Sequence, residues 1–300
     1  MSDERDGESA TPDVGVIGLG AMGAPMARNL AQAGLLRSVW NRTLSKAEAL
    51  ASECNVTVAA TPAALSQDCD TILTCVSADE DLIEVIDAMV PGLRHGMVIV
   101  DTSTINPMTA VELSERLAGH GVAFVDAPVS GGVEGAIRGS LAVMAGGEFA
   151  DIERIRPLLD AISGAVTHMG AVGQGQATKA VNQVIVAGVA EAVCEALALS
   201  EQLNLPSERL ISVLSAGAAD SWFLRQRGAS MLDNRFDIGF KPALLLKDLR
   251  IVSELARELD IELTMVDAAI ADYASLVEGG NQDNDISGLI RLKRAAARKE

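Results

Sequence analysis

Residues 14–23 read Val-Gly-Val-Ile-Gly-Leu-Gly-Ala-Met-Gly, and this stretch decides the fold. A short apolar run leads into glycines with the spacing GxGxxG, at Gly18, Gly20 and Gly23. In a strand–turn–helix unit the first glycine allows a tight turn, the second lets a pyrophosphate approach the backbone, and the third lets helix and strand pack closely. The helix start offers N–H groups and a positive dipole end to the phosphates. The motif therefore predicts a dinucleotide site, with contacts from Gly18, Leu19, Gly20, Ala21, Met22 and Gly23.

The end of the second predicted strand indicates which dinucleotide binds. An NAD site usually has Asp or Glu about 20 residues beyond the glycines, where the acid binds the ribose 2′-hydroxyl. Here Trp40 is followed by Asn41, Arg42 and Thr43, so that acid is absent. A guanidinium can instead pair with a 2′-phosphate, with Asn41 and Thr43 adding polar contacts. We therefore predict NADP in preference to NAD; the alternative is that Arg42 is a solvated loop charge.

Short apolar runs alternate with helical patterns from Val14 to about Met169. This alternation predicts βαβ units and a parallel sheet covered on both faces. The predicted strands are Val14–Leu19, Leu36–Trp40, Thr71–Val76, Met97–Val100, Val122–Val125 and Leu141–Ala145. The predicted helices are Met22–Ala33, Ser45–Glu53, Glu80–Met89, Pro107–Ala118 and Asp151–Ile162.

Helical periodicity dominates after Gly173-Gln174-Gly175. The fold class we expect is an α/β Rossmann-type N-terminal domain over residues 14–172 followed by an all-α C-terminal domain over 173–300, after a disordered acidic tail at 1–13. Ligands of such sheets bind at the carboxyl ends of the strands, so we expect the site in the cleft between the domains. The predicted C-terminal helices are Gln176–Leu203, Pro206–Ala216, Ser221–Leu232, Pro242–Leu259, Leu263–Glu278 and Ile286–Arg298.

Composition argues against several classes of partner. The chain has 24 Lys and Arg against 41 Asp and Glu, a net charge of −17, and an acidic surface repels nucleic acid. Its four cysteines form no CxxC pair and its three histidines lie far apart, so we predict neither a metal site nor a disulfide framework. The N-terminus lacks a signal-peptide pattern, and Glu191 and Glu195 interrupt the most apolar helix. We therefore expect a cytoplasmic protein without a membrane span.

Three later segments carry a resemblance to a known family. Asp101–Pro107 and Asp126–Gly132 each follow a predicted strand, and Gly173–Gln183 opens a long helix. Together with the glycine motif, in this order and spacing, they resemble the 3-hydroxyisobutyrate dehydrogenase family of β-hydroxyacid dehydrogenases. The resemblance runs from about Val14 to Lys293. It implies hydride transfer between NAD(P) and a small carboxylate-bearing hydroxy acid or its semialdehyde and, by analogy, a homodimer or homotetramer.

Lys179 is the candidate catalytic residue. Oxidising an alcohol by hydride loss requires removal of the hydroxyl proton, and the reverse reaction requires a proton donor. A lysine can serve both directions if partial burial and the nicotinamide cation depress its pKa. The resemblance assigns catalysis to the same residue; the alternative is an ordinary surface lysine in the first helical turns.

Two amides share the helix face of Lys179. Asn182 and Gln183 lie at i+3 and i+4 from it. Asn182 is placed to orient the lysine or the substrate oxygen. We therefore assign Asn182 to catalysis and substrate binding, and Gln183 to substrate binding.

A carboxylate site is predicted at Ser130, Gly131 and Gly132. A turn here can offer N–H groups and a hydroxyl, a local set of donors that an acidic protein needs to hold an anionic substrate. The resembled family uses this segment for the substrate carboxylate. The alternative is a purely structural glycine turn.

Three loop residues are further candidates for cofactor contact. The resemblance places Thr104 beside the nicotinamide; a plain polar loop residue is the alternative. Val76 and Ser77 end a strand near the expected crevice and can touch the adenosine half. Core packing is an equally good interpretation of these two residues, and also of Met22 at the start of the phosphate-binding helix.

A lysine–aspartate pair in the helical region matches another feature of the family. Lys247 and Asp248 are preceded by Phe240, eight positions before the aspartate. The resemblance implies that Lys247 contacts the cofactor and that Asp248 orients groups of the site. A solvated charge pair on an exposed helix face is the alternative.

The same motifs are compatible with other functions. A reductase of glyoxylate, succinic semialdehyde or tartronate semialdehyde fits the same residues. An imine reductase fits less well, because such enzymes generally lack the lysine found here at 179, and 6-phosphogluconate dehydrogenases have a much larger helical domain. A non-catalytic NADP-binding scaffold or sensor would bind NADPH tightly without turnover.

Overall fold

The computed structural model describes residues 13–236 and 239–297. The chain divides into two compact units, with the boundary between Ala177 and Thr178. The predicted acidic tail, apart from Asp13, and the last residue of the final predicted helix, Arg298, lie outside the described residues. The carbonyl of Asp13 accepts hydrogen bonds from the backbone N–H groups of Asp70 and Thr71, at 3.0 and 3.3 Å.

The described part of the first unit contains one nine-stranded sheet. The strands are β1 (Val14–Ile17), β2 (Leu36–Trp40), β3 (Thr57–Val58), β4 (Thr71–Thr74), β5 (Val98–Asp101), β6 (Ala123–Asp126), β7 (Val129–Ser130), β8 (Leu141–Gly146) and β9 (Ser163–Gly170). Their order is β3-β2-β1-β4-β5-β6-β8-β7, and β9 pairs with β8. β1, β4 and β5 are buried along their whole length, as expected for central strands of a parallel sheet.

Helices cover both faces of this sheet. They are α1 (Gly23–Gln32), α2 (Leu44–Cys54), α3 (Pro62–Asp68), α4 (Asp79–Met89), α5 (Pro107–Ala118), α6 (Gly132–Arg138), α7 (Phe149–Arg154) and α8 (Arg156–Ile162). Val16 packs in one apolar cluster with Met26 of α1, whereas the next strand residue, Ile17, packs in another with Ile86 of α4. Successive strand residues point to opposite faces, so each face has its own core.

The prediction of a wholly parallel sheet was wrong at β8. β1 to β6 pair in parallel, but β8 runs antiparallel to both β6 and β7. The connection from Ser130 to Leu141 holds only the short α6. A parallel crossover needs a dozen or more residues, so this connection instead returns the chain in the opposite direction.

Several elements have too weak a pattern to be predicted. β9 is mostly exposed and lacks a buried apolar alternation, and α6 contains Gly132 and Gly135. β3 and β7 each have two residues. The predicted helix Asp151–Ile162 is two helices, because Ile155 leaves helical geometry and Pro157, in the first turn of α8, has no N–H to continue the ladder.

The second unit is helical over its described residues, as predicted. The helices are α9 (Gln174–Gln202, which begins in the first unit), α10 (Ser207–Ser215), α11 (Trp222–Leu232), α12 (Pro242–Glu258), α13 (Thr264–Leu276) and α14 (Ile290–Ala297). Their core includes Leu197 of α9, Leu249 of α12 and the fully buried Tyr273 of α13. By length and composition α9 is also long and apolar enough to cross a membrane, a test that the core helix of a globular protein passes as well.

One ion cluster ties the end of the chain to two helices of the second unit. The Lys293 ammonium on α14 lies 2.6 Å from an Asp272 carboxylate oxygen of α13 and 3.1 Å from one of Glu195 on α9. It also pairs with Glu191 of α9. Burial raises the pKa of Glu191, and the ammonium opposes that rise.

Candidate active site

The turn after β1, here called the glycine turn (Gly18–Gly23), is closed on one side and open on the other. Gly18 has φ +94°, and a Cβ there would collide with the carbonyl oxygen of Cys75. A Cβ at Gly23 would collide with the carbonyl oxygen of Gly18, whereas a Cβ at Gly20 would meet nothing within 4 Å. Close packing of the backbone thus requires glycine at positions 18 and 23. The open space at exposed Gly20 is suited to a pyrophosphate.

The flanks of the glycine turn also suit an anion. The side chain of Leu19 is buried and Ala21 is exposed, so Leu19 offers only backbone to a ligand. Met22 is half-buried at the N-cap of α1, and no side chain caps this helix. A helix start without a side-chain cap keeps its N–H dipoles for phosphate groups.

Asn41 holds the glycine turn against the end of β2. Its Oδ1 accepts the N–H of Leu19 at 2.8 Å, and its Nδ2 donates to the Thr43 carbonyl at 3.0 Å. Thr43 is the N-cap residue of α2. Asn41 therefore supports the shape of the turn, and contact of Asn41 and Thr43 with the cofactor stays a prediction.

Arg42 pairs with a carboxylate that the sequence did not single out. Its guanidinium lies 2.9 Å from Asp81 Oδ1 on α4, and 75% of the Arg42 side chain is exposed. An exposed pair of this kind contributes little to stability. The guanidinium of Arg42 is therefore accessible to the 2′-phosphate of a bound cofactor.

Four neighbouring strands end in one row at the edge that carries the glycine turn. Ile17, Thr74, Asp101 and Asp126 are partners in register across β1, β4, β5 and β6. The glycine turn follows the first of these positions, Val76 and Ser77 follow the second, and Thr104 follows the third. The structure thus brings these predicted cofactor segments to one edge, as expected for strand ends in such a sheet.

A buried polar network shapes the loops after β4 and β5. Asp101 accepts the hydroxyls of Thr74 and Ser103, both at 2.7 Å. The Ser103 hydroxyl in turn accepts the N–H of Val76 at 2.8 Å. This network fixes Val76 through its backbone, while Ser77 is exposed and Thr104 is half-buried.

The predicted turn at Ser130–Gly132 is present. Ser130 ends β7, and Gly131 and Gly132 follow with φ +134° and +66°. L side chains rarely adopt such angles, so both positions favour glycine. All three residues are half-buried, and binding of a carboxylate there stays a prediction.

Asp126, at the end of β6, caps the helix that carries Lys179. Its Oδ1 accepts the N–H of Gly173 and its Oδ2 accepts the N–H of Gln176, both at 2.8 Å. Asp126 is fully buried. Burial, with a smaller contribution from the charge of Asp101, raises the pKa of Asp126 to about 6, and the two backbone N–H groups oppose the rise.

In the second unit, Lys179 is buried, with 7% of the residue exposed. Burial lowers its pKa, because desolvation disfavours the ammonium form. The charge of Asp248 opposes this effect and that of Lys247 adds to it. The alternative that Lys179 is an ordinary surface lysine does not agree with this burial.

A chain of hydrogen bonds links the other predicted residues of the second unit. Asn182 Nδ2 donates to Gln183 Oε1 at 2.8 Å, and Gln183 Nε2 donates to Asp248 Oδ2 at 2.6 Å. The other oxygen of Asp248 lies 3.0 Å from the Lys247 ammonium. Asp248 and Gln183 are buried, so this polar chain is fixed in place.

Phe240 lies in a loop that a buried carboxylate holds. Its backbone N–H donates to Asp285 Oδ2 at 3.1 Å, and its carbonyl accepts the N–H of Ile286 at 2.8 Å. The Phe240 side chain is half-buried and packs against the helical core. The structure therefore fixes the backbone at Phe240 close to the start of α12.

The sequence analysis assigned no role to Asp101, Asp126 or Gln176, although each lies in one of the three segments that resemble the family. One signal was available: two buried apolar strands, Val98–Asp101 and Ala123–Asp126, each end in aspartate. A buried carboxylate at a strand end needs partners, and those of Asp126, the N–H groups of Gly173 and Gln176, lie about 50 residues further along the chain.

Comparisons with known proteins agree with this arrangement. Residues 13–170 match the family described as the NAD binding domain of 6-phosphogluconate dehydrogenase. Residues 173–293 match the NAD-binding domain of NADP-dependent 3-hydroxyisobutyrate dehydrogenase. The two matches together cover nearly all of the described residues.

Individual relatives match nearly the whole chain. An uncharacterized oxidoreductase of Synechocystis is 38% identical over 94% of this chain and 98% of its own. Glyoxylate/succinic semialdehyde reductase 2 of Arabidopsis thaliana is 29% identical over 98% of this chain and 82% of its own. The structure of Mycobacterium tuberculosis 3-hydroxyisobutyrate dehydrogenase with L-serine has a TM-score of 0.85 and 30% identity, covering 94% of this chain and 98% of that one.

The fold, the glycine turn and these relatives define an NAD(P)-dependent oxidoreductase that acts on the CH–OH group. More specifically, the chain belongs to the 3-hydroxyisobutyrate dehydrogenase family of β-hydroxyacid dehydrogenases. This membership confirms the resemblance and the fold class predicted from the sequence.

Proposed function

We propose that the enzyme uses NADP(H) to interconvert a small β-hydroxy acid, of the 3-hydroxyisobutyrate kind, and its semialdehyde, with Lys179 as general acid and base. The observation that carries this proposal is the burial of Lys179, which lowers its pKa. A lysine with an ordinary pKa of about 10.4 would be almost entirely protonated at neutral pH and would be a poor base.

The chain's own part in the reaction is to move one proton. The bound nicotinamide would accept a hydride from the substrate carbon in oxidation and return it in reduction. In oxidation the neutral amine of Lys179 takes the hydroxyl proton. In reduction its ammonium form gives a proton to the carbonyl oxygen.

The amide and carboxylate groups near Lys179 support this role. Asp248 is buried and holds Gln183, and Gln183 in turn holds the Asn182 amide. Fixed side chains lose little entropy when substrate binds, so they can orient a substrate oxygen without reorganising. Lys247, held by Asp248, is the residue we assign to the cofactor.

Ser130 is expected to act on substrate binding more than on cofactor binding. Ser130→Ala removes one hydroxyl beside the glycines at 131 and 132, which we assign to the substrate carboxylate. Loss of one hydrogen bond to a charged group should raise KM for the acid by roughly 10-fold. Steady-state kinetics with varied substrate and varied NADP⁺ would measure it; an equal rise in both KM values would contradict the assignment.

Arg42 is expected to select the cofactor. Arg42→Asp should lower the ratio of kcat/KM for NADP⁺ to that for NAD⁺ by about 10- to 100-fold, because it removes a charge-assisted partner of the 2′-phosphate and adds a ribose-binding acid. Asp81→Asn should raise the ratio, since Asp81 competes with a phosphate for Arg42.

The matched control for this prediction is Arg37→Asp. Arg37 is an exposed arginine of β2, and it lies 3.8 Å from Asp13. The same charge change at position 37 should leave the cofactor ratio unchanged. An unaltered ratio in Arg42→Asp, or equal changes in both variants, would remove Arg42 as the selector.

A spectrophotometric panel tests the proposed function as a whole. NADPH is supplied with glyoxylate, succinic semialdehyde, tartronate semialdehyde or methylmalonate semialdehyde, and NADP⁺ with 3-hydroxyisobutyrate or serine. We expect the highest kcat/KM for the methylmalonate semialdehyde and 3-hydroxyisobutyrate pair. Higher values with glyoxylate or succinic semialdehyde would favour the reductase alternative, which the Arabidopsis relative supports by its name. Tight NADPH binding without turnover would favour a scaffold.

A further inference from the structure

We propose that Asp126 is a positioning residue for catalysis: its carboxylate fixes the first turn of α9 and thereby the helix from which Lys179 extends. The inference rests on the proposed role of Lys179. It concerns a residue of the Asp126–Gly132 segment other than the three assigned to the substrate carboxylate.

The geometry of Asp126 is that of a two-point cap. One carboxylate oxygen accepts the N–H of Gly173 and the other accepts the N–H of Gln176, each at 2.8 Å. These amides lie at the start of α9, where backbone donors have no partner within the helix. Lys179 follows Gln176 by three residues, about 4.5 Å along the helix axis. Two bonds from one rigid group fix both the position and the rotation of this turn.

Glycines enclose the carboxylate and leave it little freedom. A Cβ at Gly146 of β8 would collide with Oδ1 of Asp126, and a Cβ at Gly175 would lie 2.7 Å from Oδ2. The backbone of β8 and the backbone of α9 therefore approach the carboxylate from two sides. Such close approach is possible only because both positions lack a side chain.

Gln176 fixes the same turn to a second strand end. Its Nε2 donates to the Ser103 carbonyl at 2.8 Å, and its Oε1 accepts the N–H of Ile105 at 3.2 Å. Gln176 is 1% exposed, and Thr104 lies between the two residues that its amide holds. The start of α9 is thus bonded to the end of β6 through Asp126 and to the loop after β5 through Gln176.

The charge of Asp126 is costly for a residue that only ends a helix. Burial, together with the charge of Asp101, its partner in register on β5, raises the pKa of Asp126 to about 6. Neutral residues such as Ser, Thr and Asn cap helices well, and Thr61 caps α3 in this chain with a single bond of 3.1 Å to Ala64 N–H. A buried carboxylate brings what those residues lack, namely two strong acceptors aimed at two amides.

The experiment compares Asp126→Asn and Asp126→Ala with Thr61→Ala, which removes a helix cap elsewhere in the first unit. We expect kcat to fall by about 10- to 100-fold in Asp126→Asn, because a small displacement of a reacting group has an effect of that size. The kcat of Asp126→Ala should fall further, because asparagine keeps one hydrogen-bond acceptor and alanine keeps none. KM for NADPH should stay within about twofold, and Thr61→Ala should retain wild-type kcat.

Hydrogen–deuterium exchange supplies a readout that is independent of turnover. We expect the peptide covering residues 173–183 to exchange about 10-fold faster in Asp126→Asn than in wild type or in Thr61→Ala, because two amides lose a charge-assisted acceptor. Faster exchange together with reduced kcat supports the proposal.

Two results would overturn it: faster exchange with wild-type kcat, which makes the cap purely structural, or unchanged exchange in either Asp126 variant. An inactive wild type across the whole substrate panel would instead contradict the function of Lys179. The wild-type assay thus distinguishes failure of the proposal for Asp126 from failure of the proposed function.

Discussion

Replacing Lys179 with alanine is expected to lower kcat by about 10²- to 10⁴-fold in both directions, the usual contribution of a positioned acid or base. The Kd for NADPH should stay nearly unchanged, because Lys179 acts on the substrate oxygen. Lys179→Met should behave in the same way, since methionine fills a similar volume without a titratable group.

The control for this loss is Lys46→Ala, because Lys46 is an exposed lysine of α2. Stopped-flow or steady-state assays on purified protein, with NADPH titrations by fluorescence, separate chemistry from binding. Wild-type kcat in either Lys179 variant would end the assignment of Lys179 as acid and base. Loss of NADPH binding in parallel with kcat would place the lysine on the cofactor instead.

The pH dependence of the wild-type rates provides a second test of Lys179 as acid and base. The pKa of Lys179 is lowered by burial, so the neutral amine becomes available at lower pH than for a free lysine. The oxidation rate should therefore rise with pH through this pKa, and the reduction rate should fall through it. Both limbs should disappear in Lys179→Met.

Gly18→Ala is expected to reduce the free energy of unfolding by about 2–6 kcal/mol, the sum of backbone strain and overpacking at this position. Gly18 has φ +94°, and its Cβ would collide with the carbonyl of Cys75. Chemical denaturation without cofactor would measure the change. Such a loss is a large share of the stability of a typical domain.

Gly20→Ala is the matched variant that separates folding from binding. A Cβ at Gly20 would meet nothing within 4 Å, so the denaturation midpoint should not change. The Kd for NADPH should nevertheless rise by at least about 10-fold, because the added methyl occupies the side from which the pyrophosphate approaches. An unchanged Kd would contradict the placement of the pyrophosphate at this turn, and equal stabilities of the two variants would contradict the packing argument.

Short sequence patterns predicted those parts of the fold that depend on interactions between residues close in sequence. The turn at Gly18 needs glycine whatever the rest of the chain does, and the spacing of Lys179, Asn182 and Gln183 follows from helix geometry alone. β8 was assigned as a strand correctly but in the wrong direction, because direction depends on the connection from β7 and not on the strand's own residues. β9 was missed because its residues are mostly exposed.

The site contains contacts that no sequence pattern specifies. Asp126 and Gly173 are 47 residues apart, and their hydrogen bond exists only because β6 ends where α9 begins. The Arg42–Asp81 pair likewise joins the end of β2 to α4. Both contacts depend on register across the sheet, and register follows from packing of whole strands.

The ion cluster at Lys293 makes α14 a structural part of the second unit. Its ammonium joins α14 to Glu191, twelve residues beyond Lys179 on α9, and to Asp272 on α13. The side chains of Lys293 and Glu191 are only 13% and 12% exposed, so removing the ammonium would leave the Glu191 charge largely buried without compensation. Loss of the Lys293 ammonium would therefore loosen the middle of α9, the helix that carries Lys179, without touching any group that we assign to the substrate.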